Sequence, residues 1–239
     1  MIDKIKNRIE KFDSGYVFTT DEFPQTLNSP IYVNRILSGF VKEGYIRKLS
    51  KGKFYKQEIG KFGELPPQPY QVVKDLLEKK GKFIGYITGY SVFNDLLLTT
   101  QVPAVLQIGT LREKKAIVRG IYRIHFVKQE NAITKDNIPL LQLLDCLRLF
   151  KTIPDTTPDR ACRRLINIFQ ELNEQNIAKV KKLAVKCSPQ TIALLGAILE
   201  TINPNENTEL LYKQLNPMTT FKLSISKTIL SNQKRWRIL

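Results

Sequence analysis

Reactive side chains are scarce in this sequence. Its 239 residues include one histidine, His125, and three cysteines, Cys146, Cys162 and Cys187. The cysteines are odd in number and far apart, each lies in an apolar helical pattern, and none forms a C-x-x-C pair. That pattern predicts small buried hydrophobes, not a disulfide framework or a zinc site. No run approaches the roughly 18 apolar residues of a membrane helix. The opening stretch, MIDKIKNRIEKF, is charged and amphipathic and has no small-residue cleavage site, so it is not a secretory signal. Also missing are a G-x-x-x-x-G-K-S/T loop, a G-x-S-x-G elbow, an H-E-x-x-H pair and a G-x-G-x-x-G turn after a strand. Acids are few and scattered, whereas a metal-dependent nuclease clusters its carboxylates. Asp155 and Asp159 lie where first-turn carboxylates offset a helix dipole. His125, within Tyr122-Arg123-Ile124-His125-Phe126, has no nucleophile or carboxylate paired with it by sequence and reads as structural. These absences predict a reduced, cytoplasmic chain with no metal, no cofactor and no catalytic site.

What the sequence has in excess is positive charge. There are 38 Lys and Arg against 22 Asp and Glu, a net charge of +16. Apolar residues make up 42% and charged residues 25%, an ordinary globular balance. A basic chain of this kind predicts a polyanionic partner, nucleic acid first, against the plainer reading of a solvated basic surface.

The first sixty residues localise that expectation. Ile2, Ile5, Ile9 and Phe12 recur at helical spacing, and Gly15 ends that helix. Tyr16-Val17-Phe18 reads as a short strand, and Thr20-Asp21-Glu22-Phe23 as a capped short helix stopped by Pro24. Ser29-Pro30 opens a longer helix that runs to about Glu43 and closes at Gly44. On a helical wheel Val33, Ile36, Leu37, Phe40 and Val41 share the inward face, while Asn34, Arg35, Ser38 and Lys42 face away. Strands Tyr45–Leu49 and Lys53–Gln57 follow, joined at Gly52, with Arg47, Lys48, Lys51 and Lys53 close together. This order predicts a winged helix-turn-helix over residues 1–62. Asn34, Arg35 and Ser38 would then read base edges, and Lys42, Arg47, Lys48, Lys51 and Lys53 would hold phosphates of double-stranded DNA. A winged helix used for protein contacts is the bland alternative.

Residues 63–69, with Pro66, Pro67 and Pro69, read as a linker, and 70–239 as a second domain. Its first part is a small α+β unit: a helix with Val72, Val73, Leu76 and Leu77 inward, a helix over Tyr90–Leu98, and strands at Phe83–Ile87, Ala104–Ile108 and Ile121–Lys128. Arg112, Lys114, Lys115 and Arg119 form a basic turn region between the last two strands. Helices are predicted at Ile138–Phe150, Pro158–Asn173, Glu174–Val185, Pro189–Thr201 and Glu206–Leu215. The basic end, Lys234-Arg235-Trp236-Arg237, reads equally as an apolar-anchored tail, a phosphate contact or an ordinary charged terminus. The fold class is therefore α+β: an N-terminal winged helix, a small α+β unit and a helical C-terminal region.

Three stretches carry a resemblance. They are Gly44-Tyr45-Ile46-Arg47-Lys48-Leu49, Thr88-Gly89-Tyr90, and Asn94-Asp95-Leu96-Leu97-Leu98-Thr99-Thr100-Gln101-Val102-Pro103. Together they resemble AbiEi-type antitoxins and the bacterial winged-helix proteins grouped near them, over roughly residues 1–190. Leu97 departs from the pattern, which leads one to expect glycine there. The resemblance implies a type IV antitoxin whose winged helix binds repeats at its own promoter and represses its operon. It also implies a functional link to a nucleotidyltransferase-like toxin without a stable complex. The alternatives are a winged-helix regulator with no toxin, or a nucleic-acid-processing enzyme that uses the winged helix for targeting.

Overall fold

The computed structural model describes residues 2–23, 29–61, 63–101 and 105–239. Pro24, Val102, Pro103 and the start of the strand expected at Ala104 lie outside the described residues. The chain has a mixed α+β architecture and divides into two compact units. The first contains Met1–Asp75 and Ala116–Ile124, and the second Leu76–Lys115 and His125–Leu239.

In the first unit, helix α1 (Ile2–Glu10) buries Ile5 and Ile9, and Gly15 takes the left-handed conformation before strand β1 (Val17–Phe18). A 3-10 turn, Thr20–Glu22, opens with a capping box in which the Thr19 side chain accepts a first-turn backbone N–H and the Glu22 carboxylate accepts the Thr19 N–H. Helix α2 (Pro30–Lys42) begins at the predicted place. The Ser29 side chain accepts the Tyr32 backbone N–H, and Pro30 supplies the first-turn geometry. Val33, Leu37 and Phe40 are buried, with Ile36 and Val41 packed against the same cluster, so the predicted inward face is the observed one. Strands β2 (Arg47–Ser50) and β3 (Lys53–Tyr55) form a hairpin, and the sheet order is β1-β3-β2, all antiparallel. Phe18 and Phe54 from this sheet, with Ile46 just ahead of β2, complete a core with α1 and α2.

The expected linker is built into this unit. Gly63–Leu65 is strand β5, paired with β4 (Glu58–Gly60), and the Pro67 carbonyl accepts the Tyr122 hydroxyl at 3.0 Å. A hairpin with exposed β5 side chains is held by backbone hydrogen bonds and leaves no apolar period to read. Helix α3 (Pro69–Leu77) follows, with Val72 and Val73 buried. The first unit is completed by a distant hairpin, β10 (Ile117–Arg119) and the start of β11 (Tyr122–Lys128), in the register Ile117 to Ile124 and Arg119 to Tyr122. Arg119 therefore leaves the expected basic turn region. It is buried, donating to the Val72 carbonyl at 2.7 Å and, through both terminal nitrogens, to Asp75 at 2.6 and 3.0 Å.

The second unit opens with a two-stranded hairpin, β6 (Glu78–Lys79) and β7 (Lys82–Phe83), then β8 (Gly85–Thr88), α4 (Tyr90–Asp95) and β9 (Val105–Thr110). Strand β9 lies between β8 and β11. Helix α4 ends in a Schellman motif: Leu98 N–H reaches the Phe93 carbonyl at 2.8 Å and Leu97 N–H the Asn94 carbonyl at 3.0 Å. Leu97 takes the left-handed position at φ +58° and is 72% exposed. The place where the family pattern leads one to expect glycine is thus one whose backbone favours it.

Helices α5 (Ile138–Arg148), α6 (Pro158–Gln170), α7 (Glu174–Ala184) and α8 (Pro189–Ile202) fall within a few residues of prediction. Side-chain caps at Thr157, Asn173 and Ser188 fix three of their starts. Helix α9 is only Glu209–Tyr212, shorter than the expected Glu206–Leu215. Glu206 is held by Lys181 instead, and the buried Thr208 hydroxyl donates to Glu200 at 2.6 Å. The basic end is an apolar-anchored tail. Trp236 is fully buried beside Gly196 and donates its indole N–H to Glu200 at 2.8 Å.

Candidate nucleic-acid interface

Between Pro30 and Gln57 the sequence has seven basic residues and one acid, Glu43. The structure divides those seven. Arg47 donates its Nε to both Glu64 carboxylate oxygens at 3.0 Å and an Nη1 hydrogen to the Gly44 carbonyl. Lys53 Nζ is 3.1 Å from Asp75, and Lys56 donates to the Glu10 and Phe12 carbonyls at 2.8 and 2.7 Å. Arg35, Lys42, Lys48 and Lys51 are exposed and carry no ion pair among the described residues. Of the predicted phosphate holders, then, Lys42, Lys48 and Lys51 are exposed without an ion pair among the described residues, while Arg47 and Lys53 are paired with carboxylates.

The three residues expected to read bases lie together on the outer face of α2. Asn34 and Arg35 are exposed, and Ser38 is exposed but donates its hydroxyl to the Asn34 carbonyl at 2.8 Å. That leaves the Ser38 oxygen free to act as an acceptor. Helical spacing of three, four, seven and eleven residues from Ile31 reaches Asn34, Arg35, Ser38 and Lys42. Ile31 is 82% exposed and Tyr32 also lies on the surface. Neither stands out in the sequence as a candidate site residue. The wheel that placed Asn34 already placed Ile31, but an aliphatic residue on a polar face gave no chemical prompt.

Lys51 occupies the β2–β3 turn, where Gly52 at φ +70° supplies the positive backbone angle and a Cβ would meet nothing within 4 Å. Behind the turn, Lys53 and Arg119 grip Asp75 from two sides. Burial alone would raise the Asp75 pKa, but the Arg119 and Lys53 hydrogen bonds and charges outweigh it and hold the carboxyl below its ordinary value. Glu64 likewise collects Arg47 and the Tyr55 hydroxyl, whose pKa is raised first by burial and then by the carboxylate. Glu64 and Asp75 thus brace the hairpin strands, and Lys51 at the turn has no ion pair among the described residues.

The second unit offers a different kind of polar cluster. Asp145 is buried and accepts from the Tyr86 hydroxyl at 2.7 Å, the Thr88 hydroxyl at 2.8 Å and Arg148 at 2.6 Å. Gln129 donates to the Tyr86 oxygen at 2.9 Å and links this set to Asn131. Burial pushes the Asp145 carboxyl up, while Arg148 and the two hydroxyls favour its charged form. Both Asp145 oxygens are occupied, so the network ties β8 to α5, while the buried Arg148 Nε has no hydrogen-bond partner among the described residues. Gly89 belongs to the same frame: at φ +64° it permits the Gln107 side chain to approach, and a Cβ there would stand 1.7 Å from Gln107 Oε1. That oxygen accepts the Tyr90 N–H.

Cys146 and Cys162 are buried and Cys187 half-buried. Burial pushes Cys162 up to about 12 and Cys187 up to about 11, so neither supplies a thiolate near neutral pH. His125 is exposed on β11, and Asp155 and Asp159 accept from Thr100 and the Ser226 N–H. Among the described residues no three His, Cys, Asp or Glu side chains gather as a metal site, and no helix is long and apolar enough to cross a membrane.

No protein-family model matches the sequence, and no curated protein sequence does either. Among solved structures, the chain is similar to the crystal structure of the Rv2827c protein from Mycobacterium tuberculosis. The TM-score is 0.63 at 10% identity, over 98% of this chain and 89% of that one. At that identity the likeness speaks for the mixed α+β fold and nothing finer.

Proposed function

We propose that the first unit is a winged helix-turn-helix that binds double-stranded DNA sequence-specifically, with α2 in the major groove and the β2–β3 hairpin as the wing. The observation that carries this reading is the uncompensated outer face of α2, where Asn34, Arg35, Ser38 and Lys42 stand exposed together. The β1-β3-β2 sheet order and the exposed Lys48 and Lys51 support it. Asn and Arg side chains match the donor and acceptor edges of adenine and guanine, and each uncompensated cation releases counterions on meeting a phosphate. The protein is then a transcriptional autorepressor at its own promoter and, by the resemblance in residues 44–49 and 88–103, the antitoxin of a type IV toxin–antitoxin pair. It acts by binding, without catalysis. The raised cysteine pKa values support that part of the reading.

The test is a salt-titrated binding assay on the DNA upstream of its own gene, with random duplex as control. A preference of tenfold or more, about 1.4 kcal/mol, is expected. Arg35→Ala should cost about 1–3 kcal/mol and blur that preference, while Lys51→Ala weakens all sequences alike and lowers the salt slope by about one. Equal binding to both duplexes, or equal losses on both for the two variants, overturns the assignment. Rescue of cells from a neighbouring nucleotidyltransferase-like toxin separates an antitoxin from a regulator with no toxin.

A further inference from the structure

We infer that the Val118–Ile121 turn, between β10 and β11, is a second, apolar DNA contact of the first unit, placed beside the wing. The inference rests on the DNA-binding reading above. In the order β1-β3-β2, strand β2 is an edge, and its Leu49 carbonyl accepts the Gly120 N–H at 3.1 Å. Gly120 takes φ +55°, and a Cβ there would lie 3.2 Å from the Leu49 side chain. The turn is therefore fastened to the wing strand two residues before Lys51. Arg119, buried against Val72 and Asp75, locks it from below.

The turn presents aliphatic side chains where turns ordinarily present polar ones. Val118 is 66% exposed and Ile121 73%. Val118 stands directly across the hairpin from Arg123, which is exposed on the same face. Apolar tips flanked by cations suit the deoxyribose walls and base edges of a minor groove, with the cations on the neighbouring phosphates. A second copy of this chain is the poorer occupant, because each copy brings a net charge of +16 and its own Lys48, Lys51 and Arg123.

The test uses the full chain and a duplex selected by the wild type from a random pool. Val118→Ser combined with Ile121→Ser, both at exposed positions, is expected to keep the wild-type melting temperature and bind about tenfold more weakly. Its salt slope stays unchanged because no cation is removed, whereas Lys51→Ala lowers the slope by about one. Ile121→Val, which keeps an aliphatic tip, holds near wild-type affinity. Wild-type affinity in the double variant, while Arg35→Ala still loses binding, overturns the turn contact and leaves the DNA reading standing. Loss of a sedimenting dimer with DNA affinity intact also overturns it, in favour of a contact between copies. A wild type that binds no duplex overturns both.

Discussion

Gly39 and Gly196 each sit in the interior of a long helix, one in each unit, and their surroundings are opposite. A Cβ at Gly39 of α2 would meet nothing within 4 Å, while at Gly196 of α8 it would stand 2.0 Å from the Trp236 ring. Helix α2 buries one stripe and leaves the other to solvent. Helix α8 is buried continuously from Thr191 to Leu199. In α8 each side chain answers to packing, so its sequence reports the core. In α2 the outer face carries no ion pair among the described residues, so packing does not dictate which residues stand there. The difference lies in which side chains are fixed by packing and which face solvent.

The largest effect should come from emptying the space that Gly196 leaves. Trp236→Ala is expected to cost about 3–5 kcal/mol in urea unfolding of the second unit, through lost burial and the cavity left behind. An unchanged midpoint would show that the tail is not part of that core. The two glycines then give a matched pair. Gly196→Ala overpacks against Trp236 and should lose about 1–3 kcal/mol, although alanine is the better helix former. Gly39→Ala meets open space and should gain up to about 1 kcal/mol. Equal signs for the pair would break the contrast between the helices.

A smaller, pH-dependent difference follows from Asp75. Its folded pKa is depressed, so its contribution is present above the unfolded value, about 3.9, and is lost as pH falls through the folded one. Stability of the first unit should decline in that acid window, and Asp75→Asn should flatten the decline. The smallest expected change is in the second unit. Leu97→Gly removes the left-handed penalty but adds chain entropy to the unfolded state, for a net gain of about 0.5–1 kcal/mol by thermal melting.

Local signals made most of the helices legible. Ser29-Pro30, Thr157-Pro158 and Ser188-Pro189 mark starts because a side-chain acceptor and a fixed φ act within one turn. The α2 wheel separated core from surface for the same reason. Arg119 was illegible. Within the sequence it neighbours basic residues, and only Asp75, 44 positions earlier, makes it structural. Residues 63–69 failed similarly, since prolines report a break in periodicity and not the backbone pairing of β4 with β5. Among the candidate site residues, exposure on α2 could be read from spacing. The capture of Arg47 by Glu64 and of Lys53 by Asp75 could not, because both partners arrive from later elements.

The interrupted composition of the first unit sets an order of events during synthesis. Residues 1–75 leave the ribosome well before Ala116–Ile124, so Asp75 waits for Arg119 and the edge of β2 waits for Gly120. At about 5–20 residues per second, that delay is several seconds. Throughout it, the segment carrying α2 and the β2–β3 hairpin is present without its brace, while the first strands of the second unit are already emerging. The nascent chain thus completes its first unit only after it has begun the second.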